Sequence, residues 1–250
     1  MNSFLGTVTA LALATFIFFA GCDRDEGATS SALPAEAGQP GGSDTRAPDG
    51  PTRLSKEPRV VFLGDSLTAG LGLESDQAFP AVVVEMLKKE GIPVEVVNAG
   101  VSGDTTAGGL RRLDWLLKQS PDVVVVGLGG NDGLRGVELK ASEQNLREIV
   151  RKCQGAGADV LLLGMLIPPN YGPEYTSQFR DLYPRVAKEL NVPLVPFVLE
   201  GVGGDPKLNQ PDGIHPTDEG HQVIAKNVLP YLRDVVRARK PEGGTGSTAN

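Results

Sequence analysis

The 250-residue sequence is poor in the residues from which metal sites and disulfide frameworks are built. It has two cysteines, Cys22 and Cys153, and two histidines, His215 and His221. This argues against an internal disulfide framework and gives a transition-metal site little support. The formal net charge of −7 argues against nucleic acid as a partner, and no Gly-Lys-Ser or Gly-Lys-Thr is present to form a phosphate-binding loop. The sequence predicts no metal and no cofactor.

The N-terminal residues have the pattern of an export signal. Residues 4–20 form an uncharged apolar run that is short for a membrane span, and Phe19-Ala20-Gly21-Cys22 resembles the lipobox of bacterial lipoproteins. We therefore expect residues 1–21 to be a lipoprotein-type signal peptide and Cys22 to be lipidated. No Lys or Arg precedes the run, and Phe19 stands where Leu is usual. An ordinary cleaved signal and an uncleaved anchor are the alternatives.

The composition changes twice along the rest of the chain. Residues 22–57 are rich in Gly, Ser, Ala, Pro and charged residues, with almost no large apolar side chains to bury, and we expect a flexible tether. Residues 58–239 carry the apolar patterns of one domain, and residues 240–250 have the composition of a disordered tail. A lipidated Cys22 would anchor this domain to a membrane on the periplasmic side of the cell envelope. A soluble periplasmic or secreted protein is the alternative, and we expect a monomer.

Apolar runs and helical spacings alternate within the domain. The runs lack polar alternation, as expected of parallel strands covered on both faces: Val60–Leu63, Val94–Val97, Val123–Leu128, Val160–Leu163 and Leu194–Phe197. Helical spacing appears between and after them: Phe79–Glu90, Leu110–Lys118, Glu143–Cys153, Tyr183–Leu190 and Val223–Val236. This alternation predicts an α/β fold, a three-layer α/β/α sandwich around a five-stranded parallel sheet.

Polar, glycine-containing segments follow three of these apolar runs. In open parallel sheets, ligands bind just beyond the carboxyl ends of the strands, which is where these segments lie. They place Ser66, Gly103 and Asn131 just past strand ends, while Asp212 and His215 lie three residues apart near the C-terminus. Considered alone, Ser66 could be a helix N-cap, and Gly103 could serve only the conformation of the backbone. In the same way, Asn131 could satisfy amide groups of its loop, Asp212 could be part of a turn, and His215 could be a surface residue. Their occurrence together favours a serine nucleophile with its base and orienting carboxylate.

Four segments resemble, in order, the sequence blocks of the SGNH (GDSL) hydrolase family: Gly64-Asp65-Ser66-Leu67, Ser102-Gly103-Asp104, Gly129-Gly130-Asn131-Asp132 and Asp212-Gly213-Ile214-His215-Pro216. Three more resemble the branch that contains bacterial periplasmic acyl-CoA thioesterase I, also known as a lysophospholipase and arylesterase: Leu128–Gly136, Ile167–Gly172 and Val192–Phe197. The likeness extends from about Arg59 to Tyr231 and implies a flavodoxin-like hydrolase fold. The nucleophile turn is not Gly-x-Ser-x-Gly, which disfavours the α/β-hydrolase fold.

The resemblance implies a role for each of these residues. Ser66 would be the nucleophile, His215 the general base and acid, and Asp212 the carboxylate that orients His215. The backbone N–H groups of Ser66 and Gly103 and the side-chain amide of Asn131 would form the oxyanion hole. Asp65 would brace the turn. We expect structural roles for His221 and Cys153.

The resemblance also implies an acyl-binding groove. Gly133-Leu134-Arg135-Gly136 resembles a mobile loop, and Leu134, Ile167, Pro168, Tyr171 and Tyr175 would line the groove. The alternative for these side chains is ordinary packing. We expect an esterase or thioesterase that acts on small-molecule acyl esters, acyl thioesters and lysophospholipids. The alternatives are a carbohydrate or cell-envelope deacetylase of the same fold and an envelope lipoprotein that binds ligands without turnover.

Overall fold

The computed structural model describes residues 57–239. The predicted signal peptide at 1–21, the lipidation site Cys22, the tether up to residue 56 and the tail at 240–250 lie outside the described residues. No helix in the described range has the length and apolar character needed to cross a membrane.

Strands and helices alternate along the described residues, as the apolar runs predict. The strands are β1 (Arg59–Gly64), β2 (Glu95–Gly100), β3 (Val123–Gly127), β4 (Asp159–Leu163) and β5 (Leu194–Val195). The helices are α1 (Ser66–Ala69), α2 (Phe79–Lys89), α3 (Thr106–Leu117), α4 (Gly130–Leu134), α5 (Leu139–Gly155), α6 (Pro173–Leu190) and α7 (Asp218–Ala238). A 3₁₀ turn at Pro169–Tyr171 precedes α6.

All five strands are parallel and lie in the order β2-β1-β3-β4-β5. In this flavodoxin-like order the chain reverses its direction across the sheet between β1 and β3, and the two connections leave a crevice at the carboxyl ends of these strands. Ser66 follows β1, and Asn131 follows β3. The topology therefore places both residues beside that crevice.

The sheet is buried on both faces by two separate hydrophobic clusters. Val61 of β1 and Val124 of β3 point into the cluster built with α3, α5 and α6, while their neighbours Val60 and Val123 point into the cluster built with α2 and α7. Alternating side chains therefore pack against opposite helix layers. This confirms the predicted three-layer α/β/α sandwich.

Two strands depart from the predicted runs. We expected β2 to be covered on both faces, but among the described strands it pairs with β1 alone. Because β2 lies at the edge of this sheet, Val96 is 37% exposed. β5 ends at Val195 instead of Phe197. Pro196 has no N–H to donate to a strand ladder, which accounts for the early end.

Helix α6 begins at Pro173, ten residues before the predicted start at Tyr183. Its first ten residues are mostly polar, and only Tyr175, Phe179 and Leu182 mark its inner face. Proline at the first helical position costs no hydrogen bond, so Pro173 can start the helix. The structure also replaces the expected loop at Gly133–Gly136 with the end of the short helix α4 and its cap, Arg135.

Candidate active site

Ser66 lies at a tight turn directly after β1 and is the first residue of α1. The side chain of Asp65 caps this helix by accepting a hydrogen bond from the N–H of Leu67 at 3.0 Å. A Cβ atom on residue 64 would lie 1.9 Å from Oγ1 of Thr68, so only glycine fits here. The turn holds Ser66 at 9% exposure beside a cavity.

Asp212 and His215 lie on the loop before α7, and the loop's own hydrogen bonds hold them together. One carboxylate oxygen of Asp212 accepts from the backbone N–H groups of Ile214 and His215, each at 3.0 Å. The other lies 2.7 Å from Nδ1 of His215. These bonds, led by the backbone N–H of His215, lower the pKa of Asp212 to about 2. Asp212 is therefore a carboxylate at neutral pH.

The ring of His215 connects this loop to the nucleophile turn. Its Nε2 lies 2.8 Å from Oγ of Ser66, although the two residues are 149 positions apart. Because the carboxylate of Asp212 can only accept, Nδ1 carries the ring proton of the neutral imidazole and Nε2 presents a lone pair to the Ser66 hydroxyl. The structure therefore brings Ser66, His215 and Asp212 into the arrangement of a nucleophile, a base and its orienting group.

The three expected oxyanion donors lie around one cavity, which Ser66, Gly103 and Asn131 all line. Gly103 has a φ of +79°, a conformation that favours glycine. Ser66 begins α1 and so has no acceptor for its N–H within that helix. Within residues 57–239, no protein acceptor engages the backbone N–H of Ser66 or Gly103. Both donors are therefore available to a bound oxyanion.

Asn131 is the second residue of α4, and its side-chain amide is already oriented. Its Nδ2 donates to the carbonyl oxygen of Asp104 at 2.9 Å and lies 3.4 Å from a carboxylate oxygen of Asp65. Asp65 is almost fully buried, and burial raises its pKa to about 6. Besides bracing the nucleophile turn, as expected, Asp65 faces the amide of Asn131.

Arg112, which was not predicted from the sequence, holds the loop that carries Gly103. Its guanidinium donates to the carboxylate of Asp104 at 2.8 Å, to the carbonyl of Ala99 at 2.7 Å and to the carbonyl of Gly64 at 2.9 Å. These groups belong to the ends of β2 and β1 and to the loop after β2. No local pattern marks Arg112, because its partners lie on three different segments.

The cavity beside Ser66 has a volume of about 530 Å³ and mainly apolar walls. Leu134, Ile167 and Pro168 line it as expected. Eight further apolar residues on its walls were not assigned to the groove from the sequence: Leu67, Leu71, Met165, Leu166, Pro169, Phe197, Leu199 and Ile214.

Tyr171 and Tyr175 are not among the residues that line the cavity, so the sequence-based expectation for both is revised. The hydroxyl of Tyr171 donates to the carbonyl of Leu134, and that of Tyr175 to the carbonyl of Val137, each at 2.9 Å. Both phenols are anchored to the backbone at and after the end of α4, and this accounts for their position outside the cavity. Tyr171 therefore supports the backbone of Leu134, and Tyr175 that of Val137.

The remaining histidine and cysteine are buried away from the cavity walls. His221 accepts a hydrogen bond from the N–H of Phe79 at 3.0 Å, and burial lowers its pKa to about 4. Cys153 is fully buried, and burial raises the pKa of its thiol to about 12, which makes a reactive thiolate unavailable at neutral pH. Within residues 57–239, no three His, Cys, Asp or Glu side chains are grouped to hold a metal ion.

The fold and this site define an acyl hydrolase, and comparison with known proteins agrees. Residues 62–223 match the GDSL-like lipase/acylhydrolase family. The chain is 45% identical over 186 residues to esterase TesA of Pseudomonas aeruginosa, covering 74% of this chain and 92% of that protein. It is 42% identical over 185 residues to thioesterase 1/protease 1/lysophospholipase L1 of Escherichia coli, covering 74% and 88% of the two chains.

A solved structure gives the same result. The psychrotrophic esterase EstA from Pseudoalteromonas, inhibited by monoethylphosphonate, aligns with a TM-score of 0.69 and 33% identity over 72% of this chain and all of that one. The chain belongs to the GDSL-like lipase/acylhydrolase family. The sequence-based prediction of an SGNH hydrolase with esterase or thioesterase activity is confirmed at that level.

Proposed function

We propose that the protein hydrolyses acyl esters and thioesters through Ser66, His215 and Asp212. The observation that carries this proposal is the continuous pair of contacts from Ser66 Oγ to His215 Nε2 at 2.8 Å and from His215 Nδ1 to Asp212 at 2.7 Å. Oγ of Ser66 attacks the acyl carbon while its proton passes to Nε2 of His215. The imidazolium, stabilised by Asp212, then gives that proton to the leaving alcohol or thiol, and an acyl-serine remains.

Water completes the cycle by the same route in reverse. His215 takes a proton from the water as its oxygen attacks the acyl-serine, and returns it to Oγ of Ser66 as the carboxylic acid leaves. In both steps the negative charge on the substrate oxygen is met by the N–H groups of Ser66 and Gly103 and by Nδ2 of Asn131. The free backbone N–H groups and the place of Asn131 on the cavity wall support this assignment.

The apolar cavity supports medium or long acyl chains as the preferred substrates, lysophospholipids among them. A volume of about 530 Å³ is within the range of ligand pockets and exceeds the space that an acetyl group needs. Leu134, Ile167 and Pro168 provide an apolar wall beside Ser66. The names of the relatives, which include esterase, thioesterase and lysophospholipase, are compatible with this substrate class.

We propose that the enzyme works at the periplasmic side of the cell envelope, anchored through a lipidated Cys22. The apolar run at 4–20 and the lipobox-like residues 19–22 support this placement. Because acyl-CoA is scarce outside the cytoplasm, an ester or a lysolipid is the more suitable natural substrate. Radiolabelled palmitate incorporation, lost in Cys22→Ala, tests the anchor. Incorporation that survives this change contradicts it.

Ester hydrolysis by the domain alone tests the activity. The protein from Glu57 onward is suitable, because the described residues have cores on both sheet faces and the relatives match over 88–92% of their own lengths. We expect hydrolysis of p-nitrophenyl esters, from acetate to palmitate, to peak at medium or long chains and to fall to a small residual rate in Ser66→Ala. Acetate-only activity favours the deacetylase, and the absence of activity favours a ligand-binding lipoprotein.

A further inference from the structure

Gln210 lies between the nucleophile turn and the loop of His215 and forms hydrogen bonds to both. Its Nε2 donates to the carbonyl of Leu71 at 2.7 Å and to the carbonyl of Pro216 at 2.9 Å. Its backbone N–H donates to the carbonyl of His215 at 2.7 Å. One residue therefore engages the segment after Ser66 and both His215 and the proline that follows it.

The contact at Leu71 leads directly to the nucleophile. The N–H of Leu71 donates to the carbonyl of Ser66 at 3.1 Å, while its own carbonyl accepts from Gln210. A hydrogen-bonded path thus runs from the backbone of Ser66 through Leu71 to the side chain of Gln210, which also binds the carbonyl of Pro216. Both N–H bonds of the Gln210 amide are used in it. The backbone N–H of the same residue binds the carbonyl of His215.

Apart from the contact of His215 Nε2 with Ser66 Oγ, which Gln210 is proposed to align, the other hydrogen bonds around His215 lie within its own loop. Asp212 holds His215 within their own loop, and the N–H of Gly213 donates to the carbonyl of Gln210. These bonds fix the shape of the loop but not its distance from the nucleophile turn. On the other side, a Cβ on residue 72 would lie 2.6 Å from Oε1 of Gln210, so Gly72 allows the amide to pack closely.

We propose that Gln210 is a positioning residue that keeps Nε2 of His215 aligned with Oγ of Ser66. This inference rests on the catalytic roles proposed above for those two residues. Proton transfer needs the base within hydrogen-bond reach of the nucleophile, and a displacement of about 1 Å can cost on the order of 10²-fold in rate. Loss of Gln210 should therefore slow the chemical step while substrate binding in the cavity is maintained.

The test compares Gln210→Met with Gln154→Met in the protein from Glu57 onward, using a p-nitrophenyl ester. Methionine has a similar length but donates no hydrogen bond. Gln154 is exposed on α5 and donates to the carbonyl of Leu190 at 3.0 Å, so its replacement removes the same kind of bond far from the site. We expect kcat to fall about 10- to 100-fold in Gln210→Met with KM nearly unchanged, and both values to stay at wild-type level in Gln154→Met.

A double variant separates positioning from general destabilisation. If Gln210 acts through the alignment of Ser66 with His215, Ser66→Ala/Gln210→Met should have the same residual rate as Ser66→Ala alone. Gln210→Asn, whose shorter side chain cannot reach both carbonyls, carries the same test if the methionine variant does not fold. A further loss in the double variant, or wild-type kcat in the single variant, overturns the proposal. Full activity in Ser66→Ala overturns instead the catalytic roles on which it rests.

Discussion

The two halves of the site are held in place by different means. The nucleophile half consists of Ser66, Gly103 and Asn131 at the ends of β1, β2 and β3, and buried groups support it. The acid–base half is the loop 209–217, in which the side chain of Asp212 is 46% exposed. One half is therefore an extension of the sheet, whereas the other is a surface loop that local hydrogen bonds hold in shape.

Buried polar groups show how firmly the nucleophile half is built. Asp132, the neighbour of Asn131, is almost fully buried and accepts from the backbone N–H and hydroxyl of Thr106 and from the hydroxyl of Ser142. These bonds join the start of α4 to α3 and α5. A buried acceptor that loses its donor costs about 1–3 kcal/mol. Substitutions in the nucleophile half should thus reduce both rate and stability, whereas those in the acid–base half should reduce rate alone.

Outside Ser66 and His215 themselves, the largest effect on rate is expected for Asp212→Asn. An amide nitrogen at this position donates to Nδ1 of His215, which moves the ring proton to Nε2 and removes the lone pair that faces Ser66. We expect kcat to fall by roughly 10³–10⁴, with little change in the urea midpoint because the side chain is half exposed. Steady-state kinetics and urea unfolding measure the two quantities.

Asp205→Asn is the matched control for this prediction. Asp205 is an exposed aspartate that accepts from the backbone N–H of Lys207 at 2.8 Å, outside the loop 209–217. Its replacement should leave kcat unchanged. A decrease of less than tenfold in Asp212→Asn, or an equal decrease in Asp205→Asn, contradicts the proposed role of Asp212.

Asn131→Ala should affect both rate and stability, because Asn131 belongs to the buried half. Loss of one oxyanion donor typically lowers kcat by roughly 10²–10³. The carbonyl of Asp104 also loses its donor, so the free energy of unfolding should fall by about 1–2 kcal/mol. Kinetics with a soluble ester and urea unfolding at the same pH test the two parts together.

Asn227→Ala provides the comparison for Asn131→Ala. Asn227 also donates from its side chain to backbone carbonyls, those of Val198 and Glu200, but it lies on α7 away from the cavity walls. We expect reduced stability with normal kcat. If Asn131→Ala shows that same pattern, Asn131 supports the fold and is not an oxyanion donor.

In both halves the sequence reveals some of the important residues and not others. Ser66, Asp212 and His215 could be selected as candidates because their motifs are local and have a known order. The sheet could be predicted because buried parallel strands are continuous apolar runs, as in Val123–Gly127. Arg112 and Gln210 could not be identified in this way, because their importance depends on carbonyl groups from distant segments.

The direction in which a side chain points could not be predicted from the sequence either. Tyr171 and Ile167 lie in the same segment, but only Ile167 lines the cavity, while the hydroxyl of Tyr171 binds the carbonyl of Leu134. The start of α6 was missed because its exposed face is polar and only Tyr175, Phe179 and Leu182 mark the inner face. Periodicity identifies an amphipathic helix best where its apolar residues are closely spaced.

A smaller effect on rate is expected for Leu134, which belongs to the apolar wall of the cavity. Leu134 is 38% exposed in the cavity and would be covered by a bound acyl chain. Burial of one methylene contributes about 0.8 kcal/mol, so partial loss of the Leu134 contact should lower kcat/KM about fivefold for a long ester. Leu134→Ala should leave the acetate ester nearly unaffected, as measured across a series of p-nitrophenyl esters.

Val96→Ala is the control for the acyl wall, since Val96 is similarly exposed but lies on the edge strand β2. This variant should keep the chain-length profile of the wild type. Equal losses for acetate and palmitate in Leu134→Ala would exclude Leu134 as part of the acyl wall.

The smallest effect on rate is expected for His221→Gln, which instead changes the pH dependence of stability. Burial lowers the pKa of His221 to about 4 from 6.5, so on acidification the unfolded chain binds the proton first. The fold therefore loses stability as the pH falls from about 6.5 to 4, by an amount on the order of 3 kcal/mol. Glutamine can still accept the hydrogen bond from Phe79, so the variant should avoid this loss.

Asp65 should produce the opposite slope in nearly the same pH range, because burial raises its pKa from 3.8 to about 6. Here the folded chain binds the proton first, so stability rises as the pH falls from about 6 to 4, again by about 3 kcal/mol. In the wild type the two contributions largely cancel. Relative to the wild type, His221→Gln should gain stability between pH 6.5 and 4 while Asp65→Asn loses it. Urea unfolding across this range measures the free energy of unfolding of each variant relative to the wild type. The two differences should change with pH in opposite directions. If both variants follow the pH dependence of the wild type, neither buried group controls the response to acid.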